Sequence, residues 1–104
     1  MSTTIPASRR IQAGQENTIL NLLTMPIGAS VISGRIAAYN DGTDTAYIGL
    51  RVYYGAATEA DWIVRDFAVP PGKSAREVAE VLQPGMFIDV VSTHPNVNFR
   101  VNGL

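Results

Sequence analysis

The clearest pattern in the chain runs from Thr45 to Tyr54. Ala46, Ile48, Leu50, Val52 and Tyr54 take alternate positions, with Tyr47, Gly49, Arg51 and Tyr53 between them. An apolar period of two sustained over this length predicts a strand with one face on a core, and argues against a helix. Shorter runs repeat the theme. Thr18–Thr24 carries Ile19, Leu20, Leu22 and Leu23, and Ser30–Asn40 places Ile32, Gly34, Ile36 and Ala38 on one face. Asp61–Val69 carries Trp62, Val64, Phe67 and Val69. Phe87–Ser92 turns Ile88 and Val90 inward, and Val97–Val101 sets Val97, Phe99 and Val101 on one side. Ser74–Leu82 reads two ways. Ser74 and Glu77 have capping-box spacing and Val78, Val81 and Leu82 fit a helical face, but the short span between two proline turns favours a strand or a single turn.

Turn chemistry separates these runs. Met25-Pro26-Ile27-Gly28, Pro70-Pro71-Gly72-Lys73, Pro84-Gly85 and His94-Pro95-Asn96 are breaks, Gly55-Ala56-Ala57 is a loose loop, and Asn40-Asp41-Gly42 predicts a hairpin turn. The result is about seven strands spaced roughly ten residues apart, which predicts an all-β, single-domain antiparallel β-sandwich, Ig-like or jelly-roll-like. No period of solenoid length is visible.

Length agrees, since 104 residues make one domain. The sandwich is expected over 18–104. Residues 1–17 are mostly polar, with Ile5 and Ile11 as apolar anchors beside Arg9 and Arg10. They read as an extended N-terminal arm, with a partner subunit as one candidate for what it lies against; a disordered tail is the other reading. Charge sharpens this picture. Only 16% of residues are charged, against about 25% in average globular chains, so part of the surface is expected to be covered by other protein. Seven of the eight basic residues are Arg, and Arg is enriched and Lys depleted at protein interfaces. A net charge of −1 provides no footprint for wrapping nucleic acid. No cysteine is present, which excludes disulfides, thiolate zinc sites and cysteine nucleophiles and fits a reducing cytoplasm. No apolar run reaches the ~18 residues of a membrane span. Met1–Gly14 lacks the apolar core of a signal peptide, so a soluble protein, not exported by that route, is expected.

Candidate chemistry is sparse. His94, the sole histidine, sits in a turn, and its spacing from Ser92 does not make a nucleophile–base pair. Asn40-Asp41-Gly42-Thr43-Asp44 resembles half of a calcium loop without the distal glutamate. Glu59, Asp61 and Asp66 lie near one strand with nothing converging on them. No catalytic, metal or cofactor site is expected. The face opposite the apolar stripe is more informative. Tyr47, Arg51 and Tyr53 flank Gly49 there, and Tyr and Arg are common interface anchors. A protein contact is the first reading of this strip; ordinary packing or a sugar platform are the others.

The order of these elements resembles the small β-sandwich virion structural proteins of tailed bacteriophages. The features that carry the likeness are Met25-Pro26-Ile27-Gly28, the strand Ser33–Asn40, the alternating strand Ala46–Tyr54, Val69-Pro70-Pro71-Gly72-Lys73-Ser74 and the closing Phe99-Arg100-Val101-Asn102-Gly103. They span 18–104, with Met86 following Leu82-Gln83-Pro84-Gly85 where that class has Asp. The resemblance implies a non-enzymatic virion protein assembled in the host cytoplasm. It would be a capsid decoration or cement subunit, or a neck, tail or fibre component. Its partners would be the major capsid protein, other virion proteins and further copies of itself. The interface residues expected are Ile5, Arg9, Arg10, Ile11, Tyr47, Arg51 and Tyr53.

Overall fold

A computed structural model describes residues 7–28, 31–75 and 77–103. It is a β-sandwich of eight antiparallel strands: β1 (Ala7–Arg10), β2 (Leu20–Thr24), β3 (Ile32–Asn40), β4 (Ala46–Tyr53), β5 (Trp62–Val69), β6 (Val78–Leu82), β7 (Phe87–Ser92) and β8 (Val97–Gly103). One sheet has the order β1-β8-β3-β6 and the other β2-β7-β4-β5. Only β4 and β5 are joined as neighbours in one sheet; every other connection crosses to the opposite sheet. This order, two interleaved Greek keys, is that of a jelly roll.

The core lies between the sheets and follows the alternation. Ala46, Ile48 and Leu50 of β4 face Ile36, Ala38, Val97, Phe99 and Val101 across it, joined by Val69, Leu82, Ile88 and Val90. Burial of such apolar surface stabilises by roughly 25 cal/mol per Å². Leu22 and Leu23 are consecutive yet both buried. A register shift between Asn21 and Leu23 makes this possible, because a bulge lets neighbouring residues turn to one face. The Asn21 amide stabilises it by donating to the Leu23 carbonyl (3.3 Å).

The N-terminal segment differs from the expected extended arm. From Ala7 it belongs to the sandwich: β1 pairs with β8, Ala7 opposite Val101 and Arg10 opposite Asn98. Ile11 is fully buried in the core, and its N–H bonds the Val97 carbonyl at 2.9 Å. Ser74–Leu82 resolves toward the strand reading, with β6 over its second half.

Asn40-Asp41-Gly42 is not a hairpin, because β3 and β4 lie in different sheets. The turn is a corner, held by a buried amide. Asn40 is fully enclosed. Its Nδ2 donates to the carbonyls of Asp44 and Val69, both at 2.8 Å, and its Oδ1 accepts from the Gly42 N–H at 2.9 Å. Its backbone N–H donates to the Lys73 carbonyl and its own carbonyl accepts from the Gly72 N–H. The Pro70–Lys73 turn closes through Lys73 N–H to Pro70 O at 3.2 Å, with Gly72 at φ 72. Gln83–Met86 repeats this form, with Gly85 at φ 80 and Met86 N–H on Gln83 O. Pro followed by Gly suits a type II turn, whose third residue needs positive φ.

Asn40→Ala is expected to lower stability by about 2–4 kcal/mol, because the buried Val69 carbonyl, the Asp44 carbonyl and the Gly42 N–H lose their partner. Urea denaturation would show a lowered midpoint with an unchanged slope.

Candidate interaction face

The outer face of the β2-β7-β4-β5 sheet carries one polar and aromatic row that crosses all four strands. Asn21 of β2 is registered with Asp89 of β7, Asp89 with Arg51 of β4, and Arg51 with Trp62 of β5. Directly opposed residues on one face of a sheet interact most strongly, so the strand order assembles this row from three separate parts of the chain.

Asp89 is its anchor. The carboxylate is almost enclosed, with 6% of its side chain exposed against 19% for Arg51. One oxygen, Oδ2, accepts from Arg51 Nε at 3.0 Å, from the Tyr53 hydroxyl at 2.8 Å, and from Arg51 Nη2 at 2.9 Å. Oδ1 accepts from Asn21 Nδ2 at 3.2 Å. A buried carboxylate is tolerated when it is paired and hydrogen-bonded in this way. The arrangement also acts on Tyr53. The hydrogen bond to Asp89, burial and the negative charge of Asp89 together raise its phenol above the ordinary 10.0, with Arg51 opposing.

The rings and cations stack along the row and its neighbour. Phe87 and Tyr53 stack at 5.3 Å between centroids and 20° between planes. The Arg51 guanidinium lies 5.2 Å from the Tyr53 ring and 5.3 Å from the Trp62 ring. Arg65 lies 5.4 Å from Trp62 and pairs with Glu59. Gly49 makes room for this packing: a Cβ there would sit 2.9 Å from Trp62 Cζ3 and 2.8 Å from Val91 Cγ1.

The structure brings Tyr47, Arg51 and Tyr53 to this face as the alternation expects. Tyr47 stands apart from the other two, half exposed above a shallow hollow that it shares with Trp62, Gly49 and Thr93. Arg9 and Arg10 lie at the edge of the other sheet. Arg9 reaches across the seam to the Asn21 carbonyl at 3.0 Å, and Arg10 binds Asp41, Asn96 and Asn98. Ile11 serves the core of its own chain and Ile5 lies outside the described residues. Asp89, Trp62, Phe87 and Asn21 are the members that sequence reasoning missed. The available signal was a lone carboxylate inside the apolar run Phe87–Val91, on the face opposite Ile88 and Val90.

Ser92, His94, Glu59 and Asp61 have structural partners. Ser92 Oγ donates to the His94 carbonyl at 2.7 Å, while His94 Nδ1 meets Thr93 Oγ1 at 2.9 Å, so serine and imidazole are not paired. Asp61 accepts from Thr58 N–H and Oγ at the start of the short 3-10 turn Glu59–Asp61. Compared with family models, with curated proteins and with solved structures, the chain gives no match.

Asp89→Ala is expected to cost about 3–5 kcal/mol, because it leaves a largely buried guanidinium unpaired; thermal or urea unfolding measures it. The Tyr53 phenol is expected to titrate above the ordinary 10.0 by ultraviolet difference spectroscopy. Because the folded-state pKa is raised, the stabilisation tied to Tyr53 is complete below pH 10.0 and is lost as pH rises through the folded value. Tyr53→Phe removes this alkaline loss.

Proposed function

We propose that this chain is a non-enzymatic structural protein of a tailed-phage virion: a decoration subunit that binds the assembled shell of the major capsid protein through the outer face of the β2-β7-β4-β5 sheet and associates with further copies of itself. A subunit that binds only the assembled shell stabilises that shell by mass action. The jelly-roll order supports the reading without deciding it, since viral capsid proteins and lectins share that architecture.

The observation that carries the choice is where the aromatic faces go. A sugar platform needs an open ring face. Tyr53 already has Phe87 and Arg51 as ring partners, and Trp62 is approached by two guanidiniums. The face therefore offers edges, cations and the exposed Tyr47, which suit a protein surface. Prior locking of Arg51 and Tyr53 by Asp89 also reduces the side-chain entropy lost on docking.

Incubation with shells stripped of this protein, followed by sedimentation, is expected to give saturable co-sedimentation. Tyr47→Ala, a change at an exposed side chain that leaves the fold intact by circular dichroism, is expected to weaken binding about tenfold. Failure to associate with any shell, or binding to a glycan array through the same face, would overturn the proposal.

A further inference from the structure

The outer face of the β1-β8-β3-β6 sheet carries a line of cations. Ile36, Phe99 and Val101 turn inward to the core, so Arg35 and Arg100 beside them turn outward. The register then sets three arginines in order. Arg10 of β1 is opposite Asn98 of β8. Two residues further along β8, Arg100 stands between Ser8 of β1 and Ala37 of β3. Two residues beyond that, Asn102 is opposite Arg35 of β3. Each step moves one strand across and two residues along, so Arg10, Arg100 and Arg35 form a straight diagonal. Its steps are about 7–8 Å.

The centre of this line is its most available point. Arg10 pairs with Asp41 at 3.3 Å and Arg35 with Glu77 at 3.6 Å, and these side chains are at least 37% exposed. Exposed pairs of this kind hold weakly. Among the described residues Arg100 has no carboxylate partner. The small residues Ser8 and Ala37 flank it, and the face dips there into a hollow of about 430 Å³ bordered by Arg10, Tyr39 and Asn98.

We propose that this diagonal is the docking site for an extended acidic segment of a partner protein, one whose carboxylates at positions i, i+2 and i+4 face the sheet. Charge and spacing select this occupant together. Alternate side chains of an extended peptide point the same way and lie about 6.6 Å apart, close to the step between the arginines. All three carboxylates therefore come down on the guanidiniums, and the residues between them face away. A guanidinium presents a planar fork that matches a carboxylate. Asn102 and Tyr39, beside the line, supply both donors and acceptors for peptide groups, whereas a phosphodiester backbone only accepts. The chain has a net charge of −1, so a nucleic acid running beyond the three arginines meets no further attraction. A second copy stacked face to face on this line would set cations against cations. The inference does not rest on the shell-binding reading, whose face lies on the other sheet.

The test titrates the intact chain by NMR with three end-blocked heptapeptides and an oligothymidylate. One peptide alternates serine with three glutamates, one has the same composition with the glutamates consecutive, and one alternates serine with glutamine. The alternating glutamate peptide is expected to bind at least about tenfold more tightly than the glutamine peptide and several-fold more tightly than the block, with shifts centred on β1, β8 and β3. Raised salt is expected to weaken it. Arg100→Ala is expected to lower its affinity about fivefold or more and Arg100→Glu to abolish binding, with the fold checked by circular dichroism. Equal binding of the glutamine peptide, or no effect of Arg100→Ala, would overturn the site. Equal binding of the consecutive glutamates would overturn the extended alignment. Tighter binding of the oligothymidylate at the same residues, or occupation of the face by self-association, would overturn the occupant.

Discussion

A single buried amide governs how this chain turns from β3 in one sheet to β4 in the other. Asn40 ends β3, and from there the chain must leave its sheet, cross the core edge and begin β4. Such a corner exposes backbone groups that neither ladder can pair, and unpaired buried groups are costly. Asn40 answers them with both amide protons, its side-chain oxygen and its own backbone. It thereby joins the ends of β3 and β5, the start of β4 and the Pro70–Lys73 turn. The nearby cluster of Arg10, Asp41 and Asn96 adds the end of β1 to the same corner.

The corner places β3 and β4 in different sheets, and the strand order of the second sheet makes the interaction face. Asn21, Asp89 and the β4–β5 pair of Arg51 and Trp62 are far apart in sequence and form one row only because β7 lies between β2 and β4. The carboxylate at its centre holds a cation and a phenol in place, and the stacked rings extend that order sideways. The face is thus stiff before it meets anything. The seam between edge strands β5 and β6 has the contrary character, with Phe67, registered with the core residue Ile48, left partly uncovered.

The sandwich was legible from alternation and turn chemistry because both are local. The strands β4, β7 and β8 announced themselves by period two. The strand β1 did not, since Ala7–Arg10 has no apolar alternation; it is a strand through its pairing with β8. The sequence signature of Asn40-Asp41-Gly42 is backbone tolerance, whereas its role rests on what the Asn40 side chain reaches, including Val69 in another strand. Arg51 and Tyr53 were visible as outward positions. Asp89 was hidden, because a strand reading attends to Ile88 and Val90 and cannot know which strands will flank it. The pairing of Leu22 with Leu23 in the core was similarly masked by a bulge that no local pattern marks.

The place of β7 and β8 has a consequence for synthesis. Each is internal to its sheet, β7 between β2 and β4 and β8 between β1 and β3, yet both come last among the strands. Until Phe87–Gly103 has left the ribosome, β1 and β2 have no ladder partners and the apolar faces of β3 and β4 have no completed sheets around them. The nascent chain can form the β4–β5 hairpin but not the sandwich. Folding therefore waits for the C-terminal strands, and the waiting chain exposes apolar surface and unpaired edges that invite aggregation or chaperone binding.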